Sequence, residues 1–171
     1  MKSISWKNIF LVLLLLAWVN TALAGVPDVV KQRFVIGDPV WKEMIVRDDI
    51  ASDYSKCWNK LTDIIVDKGY ELAYTDKDSG YVRTNPNAGL VHLKSNWFYE
   101  VKIIAKFVVN DTSDQTAATS GAKKVIAKLR VQVQGRLYRQ VNGNLVESYS
   151  GYDQLVLQDI FNDLQLIFGR Q

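Results

Sequence analysis

Lys124-Val125-Ile126-Ala127-Lys128-Leu129-Arg130-Val131-Gln132-Val133-Gln134-Gly135-Arg136-Leu137-Tyr138 decides the fold. Over 123–138 the residues alternate. Val125, Ala127, Leu129, Val131, Val133 and Leu137 point one way, and Lys124, Lys128, Arg130, Gln132, Gln134 and Arg136 point the other. Period-two alternation with one apolar and one charged side reads as a long strand in an antiparallel sheet, one face buried and one face wet. Residues 97–109 repeat the pattern. Tyr99, Val101, Ile103, Ala105, Phe107 and Val109 share one face, while Phe98, Glu100, Lys102, Ile104, Lys106 and Val108 share the other. The polar stretch 110–122 joins these two strands.

Working outward, Asn142-Gly143-Asn144 turns the chain into a short strand at 145–150. Tyr70–Thr75 and Tyr81–Thr84, joined by Asp76-Lys77-Asp78-Ser79-Gly80, read as a hairpin. Residues 40–47 read as a first strand. Between that strand and the hairpin lies a helix over 52–68. Tyr54, Cys57, Trp58, Leu61, Ile64 and Ile65 form a single stripe at period 3.6, with Ser52 as the expected N-cap, Asp53 on the positive end of the dipole and Gly69 as the stop. A second helix spans about 152–168, where Val156, Leu157, Ile160, Phe161, Leu164, Ile167 and Phe168 make a wide apolar face closed by Gly169. Both stripes need burial, and a sheet with one apolar face provides it. The expected architecture is α+β: a two-layer antiparallel sheet packed on one face by two helices.

The start of the chain reads as an address. Lys2 and Lys7 precede an apolar run from Ile9 to Val19, and Ala22-Leu23-Ala24 offers small residues where a signal peptidase cuts. The run is short of the roughly 20 residues that span a bilayer. Residues 1–24 are therefore read as a cleaved signal peptide and 25–171 as a single domain, periplasmic or secreted. Gly25 rather than Cys follows the cut, so no lipid is expected there. Nothing after residue 24 is apolar for long enough to cross a membrane. The net charge of +3 overstates the mature chain, which carries 19 basic and 18 acidic residues. That near-neutral balance argues against nucleic acid as a partner.

Enzyme chemistry finds little support. The one histidine, His92, sits near no nucleophile motif, and one His with one Cys cannot build a zinc site. Asp76-Lys77-Asp78-Ser79-Gly80 lacks the glycine and glutamate positions of a calcium loop, because Asn87 stands where the glutamate belongs. Asp48-Asp49 reads as negative charge ahead of the first helix, and Cys57, on the helix stripe, as a small buried hydrophobe. No cofactor and no metal are expected. The most distinctive surface is the charged sheet face, with Lys102, Lys106, Lys128, Arg130 and Arg136 supplying positive charge and Trp97, from the aromatic run Trp97-Phe98-Tyr99, serving as an anchor. With the loops at 85–96 and 110–122, this face is expected to bind another envelope protein or an anionic envelope component. The alternative is a small-ligand carrier with an apolar pocket between sheet and helix, lined by Tyr70, Tyr74 and Phe161.

Trp58, Gly69-Tyr70, Asp76-Lys77-Asp78-Ser79-Gly80 and Tyr81-Val82-Arg83 together resemble the helix–hairpin segment of BamC-like envelope proteins, across residues 57–84. The resemblance implies a helix-grip fold and an envelope location. Two features depart from that family: it carries a lipid-anchoring cysteine and usually two such domains. The resemblance therefore implies no membership of a barrel-assembly machine, and no partner-contacting residue is carried over.

Overall fold

A computed structural model describes Val26, residues 28–87, 97–111 and 124–170 of the chain. The expectations for the signal peptide, for His92, for the Lys124 side chain and for most of the two loops lie outside the described residues. The chain divides into two compact units, up to Gln32 and from Arg33 onward. In the first, Asp28–Lys31 forms a single helical turn, α1, with Lys31 Nζ 3.0 Å from Asp28 Oδ1.

The second unit is built on β6 (Lys124–Val141), the strand predicted from alternation and longer than predicted. Along one edge it pairs antiparallel with β5 (Trp97–Asp111), from Trp97 opposite Arg139 to Asp111 opposite Lys124. Along its other edge two strands share it. β2 (Trp41–Ile45) covers 128–132, and β7 (Asn144–Asp153) covers 135–141. Asn142 and Gly143, at φ 51° and 83°, make the tight β6–β7 turn. The hairpin β3 (Leu72–Asp76) and β4 (Tyr81–Thr84) extends the sheet beyond β5. At the far side β1 (Phe34–Ile36) pairs with the end of β7. The order is β1-β7-β6-β5-β4-β3, with β2 beside β6.

Two long helices cover one face of this sheet, as expected: α3 (Tyr54–Asp67) and α4 (Gln154–Phe168). The α3 stripe Cys57, Trp58, Leu61, Ile64 and Ile65 is buried, as are Leu157, Ile160, Leu164 and Phe168 of α4. They meet the inward side chains of β4, β5 and β6. Phe107 packs edge-on against Phe168 at 5.9 Å and against Tyr54 at 6.0 Å. Lys68, just after α3, holds Asp159 and Asp163 of α4 at 2.6 and 2.7 Å.

Four local expectations are corrected. The α3 cap is Asp53, whose carboxylate accepts from Lys56 N at 3.1 Å, and not Ser52. Asp48 and Asp49 do not merely precede α3; they open a separate turn, α2 (Asp48–Ala51), where Asp49 chelates the Arg47 guanidinium. The β5–β6 register slips between Val108 and Val109, so that Ala127 becomes a bulged residue. The bulge reverses the alternation before it: Ile126, not Val125 or Ala127, is buried. Finally, β1 was not predicted.

β1 sits where it does because of a glycine. A Cβ on Gly151 would lie 2.0 Å from the Val35 carbonyl oxygen, so only glycine admits so close an approach. The same corner holds a buried charge. Asp153 is 0% exposed and caps α4 through Oδ1, which accepts from Leu155 N at 2.9 Å and Val156 N at 3.0 Å. Its Oδ2 accepts from Arg33 Nε at 2.5 Å and from the Tyr99 hydroxyl. Strand β5, strand β7, the chain before β1 and the start of α4 thus converge on one carboxylate. Burial, and then the bond to Asp153, push the Tyr99 phenol well above its ordinary range.

Candidate functional site: the outer sheet face

The face of the sheet opposite the helices is organised in rows, because paired residues on antiparallel strands point the same way. One row crosses five strands: Trp41 (β2), Gln132 (β6), Ile104 (β5), Arg83 (β4) and Tyr74 (β3). The next runs Glu43, Arg130, Lys106, Tyr81 and Asp76. On the other side of the first row, Lys102 lies opposite Gln134, then Glu100 opposite Arg136.

Of the predicted positive residues, the structure brings all five onto this face but gives them different roles. Lys128 and Arg130 are both held by Glu43, at 3.3 and 2.7 Å. Arg136 faces Glu147 at 3.6 Å. Lys102 and Lys106 have no ion pair among the described residues. Lys106 is exposed. Lys102 is half-buried and lines a small hollow of about 60 Å³ with Pro86, Glu100, Gln134 and Arg136. Burial lowers the pKa of its ammonium, and the neighbouring Arg136 and Arg83 guanidinium groups lower it further. Glu100, in the same hollow, partly offsets the two guanidinium groups, but no carboxylate forms an ion pair with the ammonium among the described residues.

The centre of the face is drier than the alternation predicts. Ile104 is 7% and Gln132 8% exposed. Gln132 donates to the Pro39 carbonyl oxygen at 2.8 Å and accepts from Gln134 Nε2 at 2.9 Å, so its amide is satisfied at both ends.

Trp97 is not a surface anchor. It is 6% exposed, stacked on Tyr149 at 6.2 Å and capped by the Arg139 guanidinium at 5.8 Å. The reason is parity: Trp97 lies two and four residues from Tyr99 and Val101 and shares their buried face, leaving Phe98 to turn outward. Two aromatics take its place at the rims of the face. Trp41 is exposed at the β2 edge and Tyr74 at the β3 edge, where Tyr74 packs against Tyr81 at 5.9 Å and under Arg83 at 6.0 Å. Arg83 and Trp41 were legible as outward-pointing from alternation alone. What alternation could not supply was which strands stand beside them.

Tyr70, Tyr74 and Phe161 do not line a common pocket between sheet and helix. Tyr74 belongs to the outer rim. Phe161 lies beneath the Lys42 ammonium at 5.1 Å, and Tyr70 feels the charges of Asp153 and Arg33. Cys57 is buried as expected. Its thiol donates to the Ile50 carbonyl at 3.3 Å, and burial raises its pKa. Among the described residues no group of three or more His, Cys, Asp or Glu side chains could hold a metal ion, and no helix is long and apolar enough to cross a membrane. Compared with family models, curated proteins and solved structures, the chain finds no match in any of the three.

Proposed function

We propose that this chain is an exported, non-enzymatic binding module that docks an acidic surface of another envelope protein against its outer sheet face. One observation carries the reading: among the described residues, the face opposite the helices presents two ammonium groups with no ion pair, Lys102 and Lys106, between aromatic rims at Trp41 and Tyr74. Tyrosine, tryptophan and arginine are the side chains that concentrate binding energy at protein interfaces. A partner carboxylate reaching Lys102 relieves the repulsion from Arg83 and Arg136, so the contact is favourable without breaking an existing ion pair. Lys128 and Arg130 share the single carboxylate of Glu43, so the trio keeps one net positive charge that adds to the field of the face.

The test is photo-crosslinking in intact cells with a photoreactive residue at position 106. The expected result is capture of a discrete envelope protein, abolished by Lys102→Glu with Trp41→Ala, at an unchanged melting temperature. A capture pattern indifferent to that double change refutes the reading.

A further inference from the structure

On the helix side of the sheet, away from the face just described, α2, the first half of α3 and the last turn of α4 enclose an open cleft of about 620 Å³. That volume lies within the roughly 300–1,000 Å³ typical of small-molecule sites. Its floor is apolar: Ile50, Cys57, Ile167 and Phe168. Ile50 and Ile167 are only half-buried, so their apolar surface faces the cleft instead of completing the core. Its rim is polar and carries Arg47, Lys56, Lys60 and Asp63. Arg47 is already chelated by Asp49 at 3.1 and 2.9 Å, and its backbone N–H donates to the Phe168 carbonyl at 2.8 Å, closing that end. Lys56 and Lys60 stand one helical turn apart on α3, exposed and with no ion pair among the described residues. A hydrophobic floor under two unpaired ammonium groups complements a molecule with an apolar tail and a negative head.

We propose that this cleft binds a single-chain amphiphile carrying a carboxylate head group, its alkyl chain against Ile50 and Ile167 and its head between Lys56 and Lys60. The cleft shares no residue with the outer sheet face, so either site can fail without the other.

The test is calorimetric titration of the folded chain with dodecanoate below its micellar concentration, with dodecyltrimethylammonium as the opposite-charge control. Expected is one saturable site for dodecanoate and none for the cation. Lys56→Glu with Lys60→Glu, both at exposed positions, should weaken dodecanoate by at least about tenfold. Ile50→Trp, which fills the floor, should abolish binding while the sheet-face crosslink persists. Absence of dodecanoate binding, equal binding of both amphiphiles, or affinity unmoved by the charge reversal overturns the proposal; if Ile50→Trp does not fold, the charge reversal alone decides.

Discussion

Replacing Asp153 by alanine is the perturbation that tests most of the architecture at once. The carboxylate is 0% exposed and receives four donors: two backbone N–H groups of α4, Arg33 Nε and the Tyr99 hydroxyl. Breaking a fully buried ion pair costs about 3–5 kcal/mol. The Arg33 side chain is 30% exposed and can turn toward water, which puts the pair near about 3 kcal/mol. Losing the helix cap adds about 1 kcal/mol. The sum, about 4 kcal/mol, is a large share of the roughly 5–15 kcal/mol that holds a domain folded, and lowers Tm by roughly 10–15 °C at this size. Asp153→Asn keeps the cap acceptor but turns an amide donor toward Arg33 and Tyr99, so a loss of about 1–3 kcal/mol is expected. Urea unfolding followed by tryptophan fluorescence measures both. In a double-mutant cycle with Arg33→Met, a coupling of about 1–3 kcal/mol is expected between the two positions. A loss below about 1 kcal/mol for Asp153→Ala, within the range of an ordinary surface change, refutes the account of this carboxylate as the point where four segments are joined.

Four more outcomes are expected. Trp97→Ala should cost about 3–5 kcal/mol in urea unfolding, whereas Trp41→Ala should cost under about 0.5 kcal/mol and act on partner capture alone. Gly151→Ala should destabilise by about 3 kcal/mol or more, because its Cβ meets the Val35 carbonyl oxygen at 2.0 Å; a near-neutral result in thermal melts would mean that β1 does not pair with β7 as described. Burial and the bond to Asp153 raise the Tyr99 pKa in the fold above its ordinary value of 10.0. The stability that Tyr99 contributes is therefore complete below pH 10 and falls as the pH rises further, by up to about 1.4 kcal/mol per unit. Urea midpoints between pH 9 and 11 should fall less steeply in Tyr99→Phe than in the parent. Cys57, buried with a raised pKa, should alkylate with iodoacetamide in native buffer at least about tenfold more slowly than in denaturant; equal rates would place the thiol at the surface.

Legibility in the sequence tracked the length of each repeating pattern. The α3 stripe runs for three turns and β5 and β6 for well over ten residues, so their periods stand out and the two-layer α+β architecture follows from them. β1 has three residues, too few to alternate visibly, and its pairing depends on Gly151, more than a hundred positions away. The Ala127 bulge was hidden because Val125, Ile126 and Ala127 are all apolar, so either register looks buried. The site residues divided along the same line. That Lys102, Lys106, Lys128, Arg130 and Arg136 share a face was readable from alternation. That Glu43 pairs with two of them was not, because this depends on β2 lying beside β6 and not beside the strands that follow it in the chain. Trp97 could have been placed correctly from its parity with Tyr99 and Val101; its position at a strand entrance was the weaker signal.

The strand order also governs when this protein can fold. β1 finds its partner in residues 151–153, and β2 finds its partner in residues 128–132, so both early strands wait for the last third of the chain. At a synthesis rate of roughly 5–20 residues per second, the first half leaves the ribosome without the neighbours that would complete its sheet. Pairings this distant in sequence also make closure slow. Completion of the sheet therefore waits until Asp153 has emerged and α4 can be capped.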